Sequence, residues 1–206
     1  MADSSWDGRR DAFREATMWF VETTRSCAGR WDEVGLGEWT VRDLVGHTSR
    51  ALLTVEAYLD QACASVVVPS AAQYFTSALA TRGDPAAVAQ RGREAGAALG
   101  PDVVRSVSGI ASRVLARIAS ERADATVATP VGGMHLQDYL PTRTFELTVH
   151  TCDLAVALGL PLDVPQRAAS ESLDLMGQLA ARNGQGGAML LAATGRRALP
   201  AGFTVL

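Results

Sequence analysis

Lysine is absent from this chain: all 19 basic residues are arginine. Asparagine occurs once, at Asn183, and isoleucine twice. Lysine suits an exposed helix face as well as arginine does, so the bias has no structural origin and reads as the codon usage of a GC-rich genome. Cysteine is scarce. Cys27, Cys63 and Cys152 form no CxxC pair, which excludes a zinc ribbon or a thioredoxin-type motif, and their odd number points to free thiols. No apolar run approaches the ~18–20 residues that span a bilayer, and "MADSSWDGRRDAF" has no apolar signal-peptide core; the expectation is a cytoplasmic protein without a membrane partner. The arginines are spread among 22 acidic residues for a net charge of −3, so there is no basic footprint for nucleic acid. What remains is an apolar content of 48% over 206 residues, enough for one well-packed domain over 1–206 with a tail at 195–206.

Helical periodicity dominates. Residues 7–27 place Phe13, Phe20 and Val21 near one face. Thr40 followed by Asp43 has the capping-box spacing, and an apolar stripe of Val41, Leu44, Val45, Leu52, Val55 and Leu59 predicts a helix to about residue 62. Residues 65–80 read as a loop with a short helix. Asp84 and Pro85 open a helix that stops at Gly100–Pro101, and another follows over about 101–122. Gly132–Gly133 marks a loop. A long helix is predicted over 136–158 with Gly159 as its C-terminal cap, then helices at 166–182 and 186–194, the last opened by "GQGG". Alternating strand patterns are scarce. The fold class is therefore all-α, four main helices in a bundle with additional short helices.

The long helix carries an unusual flank. With Arg143 at 0° and 100° per residue, Leu136, Leu140, Leu147, Leu154 and Leu158 fall at about 20–60°, while Glu146, His150 and Asp153 fall at about 280–340°. The ionisable groups border the apolar stripe and are expected to be partly buried, where unpartnered charge costs several kcal/mol. Glu146 and His150, at i and i+4, lie one turn apart on one face, a spacing that suits two ligands of one metal. His47, at the edge of the stripe on its own helix, is a candidate third. Two imidazoles and a carboxylate leave a tetrahedral zinc one open position, the catalytic arrangement, although ligand type alone leaves nickel or iron open. Periodicity does not separate this reading from a boundary histidine paired with a glutamate.

Two stretches add to it. "GEWTVRDLVGH" (37–47) and "DYLPTRTFELTVHTCDLAVALGL" (138–160) resemble the mycothiol-dependent maleylpyruvate isomerase family, within the DinB-like superfamily of metal-binding four-helix bundles. The Trp39–Thr40 pair, His47 and the R-x-x-E-x-x-x-H-x-x-D run from Arg143 to Asp153 carry the likeness. The resemblance implies a DinB-like bundle, zinc or another divalent metal on His47, Glu146 and His150, and mycothiol as cosubstrate. It implies an enzyme in which the thiolate attacks an electrophile, as an S-transferase or a thiol-assisted cis–trans isomerase. Mycothiol is an actinobacterial thiol, in accord with the composition. A non-catalytic ligand-binding bundle and a thiol-independent metal enzyme are the alternatives.

Around the ligands, Arg143 is expected to orient Glu146 or bind substrate, or else to pair with Asp153 or Asp43. Asp153 is placed to fix the His150 imidazole. Asp43 and Tyr58 are candidates for the cofactor pocket, with a capping box and plain packing as their simpler roles. His135 is expected at the pocket mouth rather than on the metal, Trp39 as a packing anchor, and Cys152 as a small buried group facing away from His150. Family isomerases take an active-site arginine from a second domain. The 56 residues after His150 are expected to be too few for one, which leaves Arg196 or Arg197 to consider, with solvated charge as their simpler role, and the electrophile unnamed. The state expected is a monomer or homodimer acting on small molecules.

Overall fold

A computed structural model describes residues 4–61, 63, 65–80 and 84–206. Its helices are α1 (Trp6–Ser26), α2 (Val41–Leu59), α3 (Ala71–Ala80), α4 (Pro85–Ala98), α5 (Val103–Ser120), α6 (Leu136–Leu158), α7 (Gln166–Arg182) and α8 (Gly186–Ala193). The bundle proper is α1, α2, α5 and α6: α6 packs on α1 and α2, and α5 closes the ring by packing on the same two. Around it, α4 lies on α2, α7 lies on α1 and α6, and α3 lies on α6 and α7. The all-α reading holds.

Local chemistry starts and stops these helices where the sequence signals lie. Thr40 caps α2 by accepting from the Asp43 N–H, while Asp43 answers to the Thr40 N–H, which completes a capping box. Asp84 caps α4, and Gly159 ends α6 at φ +68°, a left-handed conformation that glycine adopts at least cost. Gln185 and Gly186 open α8. The core is built from Phe13, Phe20, Leu44, Leu52, Leu140 and Leu147, all fully buried, each contributing about 1.5–3 kcal/mol. Threonine is buried freely among them. Thr144, Thr148 and Thr151 each donate a hydroxyl to a carbonyl one turn back on α6, so their polarity is absorbed by the helix itself.

Two antiparallel hairpins depart from the sequence reading. β1 (Val34–Leu36) pairs with β2 (Trp39–Thr40), and β3 (Thr126–Thr129) pairs with β4 (Gly132–His135) across a two-residue turn, where a loop was expected. Four residues inside the second hairpin, Val127, Thr129, Gly133 and Met134, are buried. The expected helix to residue 62 ends at Leu59 with Asp60 as its cap, residue 62 lying outside the described residues. Over 65–80 the helical part is α3, residue 64 again lying outside the description. The stretch from 203 packs back on the bundle, with Val205 buried beside Leu179 and Phe75.

Pro141 interrupts the hydrogen bonding of α6 from within. Proline has no N–H, so the carbonyl of Gln137, four residues earlier, loses its helical donor. Arg9 of α1 donates to that carbonyl and also pairs with Asp138 at 3.2 Å. The defect thus becomes a tether between α1 and α6.

Candidate metal centre

α2 and α6 pack side by side, and their contact joins the two halves of the sequence motif. His47 comes from the second turn of α2; Glu146 and His150 come from consecutive turns of α6. One donor atom from each of the three lies within 4.8 Å of the others. The imidazoles of His47 and His150 meet edge to face with ring centroids 4.8 Å apart. Glu146 Oε2 is 3.2 Å from His150 Nε2, and Asp153 Oδ2 is 3.0 Å from His150 Nδ1. Asp153 therefore fixes the ring with Nε2 turned toward Glu146, as its place one turn beyond His150 led us to expect.

Burial shapes the charges. Desolvation pushes His47 down to about 4, and the nearby His150 adds to it, so His47 is neutral at pH 7 with a free lone pair. Its Nδ1 is buried with no hydrogen-bond partner. Desolvation also opposes charge on His150, but Asp153 and Glu146 outweigh it and raise the imidazole above its usual range. The same proton, together with Arg143, holds Glu146 low against its own burial. Without a cation, a shared proton is what reconciles Glu146 with His150. A metal ion in its place would satisfy one donor atom from each of the three residues.

Trp39 holds His47 from the far side. The two rings stack at 4.4 Å, the indole N–H donates to the Ala89 carbonyl, and a Cβ added to Gly92 of α4 would lie 2.5 Å from the indole. The anchor expected of Trp39 is thus an anchor for the histidine as well as for its hairpin.

A cavity of ≈260 Å³ opens on the three donors. Arg143 lines it, only 8% exposed, with its guanidinium over the rings of Tyr139 (5.0 Å) and Tyr74 (5.4 Å) and its Nε bonded to Thr142 Oγ1. Burial works against that charge, but Tyr139, Tyr74 and Glu146 outweigh it and raise the group above its ordinary value. Neither anticipated ion pair of Arg143, with Asp153 or with Asp43, is formed among the described residues. Tyr58 lines the cavity, its phenol kept neutral by burial. Tyr139 lies beneath, its hydroxyl donating to Thr54.

Other expectations need correcting. Asp43 is not part of the cavity: its Oδ2 accepts from the backbone N–H and hydroxyl of Thr40, and the capping box accounts for it. His135 ends β4 with its ring on the Asp124 carbonyl, away from the cavity mouth. Arg196 and Arg197 are exposed and do not line the cavity, which agrees with their simpler reading as solvated charge. Cys152 is half-buried rather than enclosed. Sequence reasoning missed Arg50, Tyr74, Phe75 and Leu206, which all reach the cavity. Arg50 carried a usable signal, one turn after His47 on α2; the others arrive through packing of α3 and the C-terminal stretch.

Among the described residues no helix is long and apolar enough to cross a membrane. Neither a curated protein nor a solved structure matches the chain. A family does: the pattern described as mycothiol maleylpyruvate isomerase N-terminal domain matches residues 11–155, a span that contains His47, Glu146, His150 and Asp153 and ends before α7. The chain belongs to the mycothiol maleylpyruvate isomerase N-terminal domain family.

Proposed function

We propose that His47, Glu146 and His150 bind one divalent metal ion, zinc by the character of the donors, and that the protein is an enzyme of low-molecular-weight thiol chemistry with mycothiol as cosubstrate. The observation that carries this reading is the meeting of three donor atoms within 4.8 Å from two packed helices. The neutrality of His47, which leaves a lone pair for a ligand bond, supports it. Two imidazoles and one carboxylate match a catalytic zinc site that keeps an open position. A bound zinc ion supplies one thing to the chemistry: it lowers the pKa of a thiol so that the nucleophilic thiolate forms at neutral pH.

The chain's own residues do the rest. Asp153 accepts from His150 Nδ1–H and keeps Nε2 aimed at the donor cluster. Arg143, buried on two tyrosine faces without a carboxylate partner among the described residues, is a fixed cation on the cavity wall. Arg50 adds a second positive charge. Both favour an electrophile that bears an acidic group, since a guanidinium matches a carboxylate in shape and charge. Phe75, Ala78 and Leu79 offer apolar surface for its carbon skeleton. The thiolate sulfur either stays on the electrophile, giving an S-transferase, or leaves after rotation about the attacked double bond, giving an isomerase.

The test is metal analysis joined to a thiol-dependent assay. Protein purified without chelators is expected to hold about one metal ion per chain, with the ion lost in His47→Ala and Glu146→Ala, and turnover of acidic electrophiles is expected to require mycothiol. Protein without metal would overturn the site. Turnover indifferent to thiol would replace this reading with a thiol-independent metal enzyme, and saturable binding without product would replace it with a binding protein.

A further inference from the structure

The two histidines of the candidate site are held by different means. His150 has Asp153 on its Nδ1 at 3.0 Å, the kind of hydrogen bond that ordinarily orients a liganding imidazole. His47 has no counterpart: its Nδ1 is buried in the protein without a partner. The torsion that turns an imidazole about its Cβ–Cγ bond is broad, with no steep staggered wells. A turn of the His47 ring would carry its lone pair away from Glu146 and His150. Something other than a hydrogen bond has to set its plane.

Aromatic contact does so. Trp39 lies against the His47 ring with centroids 4.4 Å apart and planes tilted by 33°, and His150 meets the same ring edge to face. Trp39 is in turn fixed by α4. Its indole N–H donates to the Ala89 carbonyl at 2.9 Å, and Gly92, about one turn further along α4, leaves no spare room, since a Cβ there would lie 2.5 Å from the indole Cε2. Elsewhere the indole is less confined: with Leu36, Ala86 and Val88 it borders a cavity of ≈590 Å³. The Ala89 bond and the Gly92 contact therefore locate the ring. α4 is also keyed to α2 beside the histidine. A Cβ on Gly46 would fall 2.1 Å from the Gly96 nitrogen, and Arg42 Nε donates to the Gly96 carbonyl at 3.0 Å.

We infer that Trp39 is the positioning residue of His47, a flat plate docked on α4 that holds the imidazole plane where His47 can share an ion with Glu146 and His150. This role rests on the proposed metal centre. It gives α4, which adds no donor to the cluster, a part in the site: Ala89 and Gly92 place the plate, and the Gly46–Gly96 crossing keeps it in register with the histidine.

The full-length protein and cobalt(II) provide the test. Affinity is read by competition with a chromogenic chelator, coordination by the visible absorption of the bound ion, and stability by urea unfolding of metal-free protein. Trp39→Leu keeps an apolar side chain but no plate, and it is expected to weaken cobalt binding about tenfold or more and to alter the absorption bands. Trp39→Phe keeps a ring on His47 and is expected to restore most of the affinity and the parent bands, even though it loses the Ala89 bond. Gly92→Ala displaces the indole without altering it and is expected to weaken binding as Trp39→Leu does. In metal-free protein the three histidines give three Hε1 proton signals. That of His47 is expected upfield, under the indole ring current, and to return toward its ordinary position in Trp39→Leu. Parent protein that binds no cobalt would overturn the metal centre, and this role with it. Cobalt bound by parent and Trp39→Leu with equal affinity and the same bands would overturn the role of Trp39 alone. So would equal losses of affinity in Trp39→Phe and Trp39→Leu, which would leave Trp39 as packing only.

Discussion

Replacing Glu171 by glutamine gives a quantitative test of how α7 is seated. In the unfolded chain this carboxyl ionises near 4.5; in the fold, burial moves it to about 7, opposed weakly by Thr144 and by the more distant Arg9, and reinforced by Asp174. Among the described residues, the charged groups that α1 and α6 bring to the small cavity beside Glu171 are Arg9 and Asp138, already paired with each other. Below pH 4.5 the group is protonated in both states and costs nothing. As pH rises further, the unfolded chain gives up its proton while the folded one retains it, so stability falls until the folded group also ionises near pH 7. The shift corresponds to about 3 kcal/mol at 1.36 kcal/mol per pKa unit. Glutamine does not titrate, so Glu171→Gln escapes the fall. Urea unfolding followed by far-ultraviolet circular dichroism is expected to show the variant gaining on the parent by about 3 kcal/mol between pH 4.5 and about pH 8. A stability difference that stays constant over that range would refute the buried-carboxyl argument.

Asp153→Asn weakens the grip on His150 Nδ1 and is expected to lower metal affinity about 10- to 100-fold, read by competition with a chromogenic chelator. Arg143→Met keeps the bulk over Tyr74 and Tyr139 but removes the cation; KM for an acidic electrophile is expected to rise at least tenfold with bound metal unchanged. Gly46→Ala puts a Cβ 2.1 Å from the Gly96 nitrogen where α2 crosses α4. It is expected to cost about 1–3 kcal/mol in chemical unfolding and to loosen His47, the next residue, so that metal affinity falls as well.

The sequence by itself determined most of the helices and one side of the site. The 3.6-residue period, the Thr40–Asp43 box, Asp84–Pro85 and Gly159 act within a few residues of chain, so they are legible without knowing what packs where. The spacing of Glu146, His150 and Asp153 on α6 is legible for the same reason, because one helix fixes their mutual positions. The short hairpins were not: four residues such as Thr126–Thr129 are too few for an alternating pattern to stand out, and their pairing depends on a partner strand and on a seat against α2. Only the tertiary structure decided that His47 faces His150, since that requires the packing of two helices about one hundred residues apart. It alone put Arg143 on two tyrosines, sent Asp43 to the cap, and brought Tyr74 and Leu206 to the cavity. The same holds for Arg9 repairing the gap left by Pro141 and for the orphaned oxygen of Glu171. Helix formation is a local property of the chain, whereas burial, charge pairing and cavity shape arise between segments that the sequence order keeps apart.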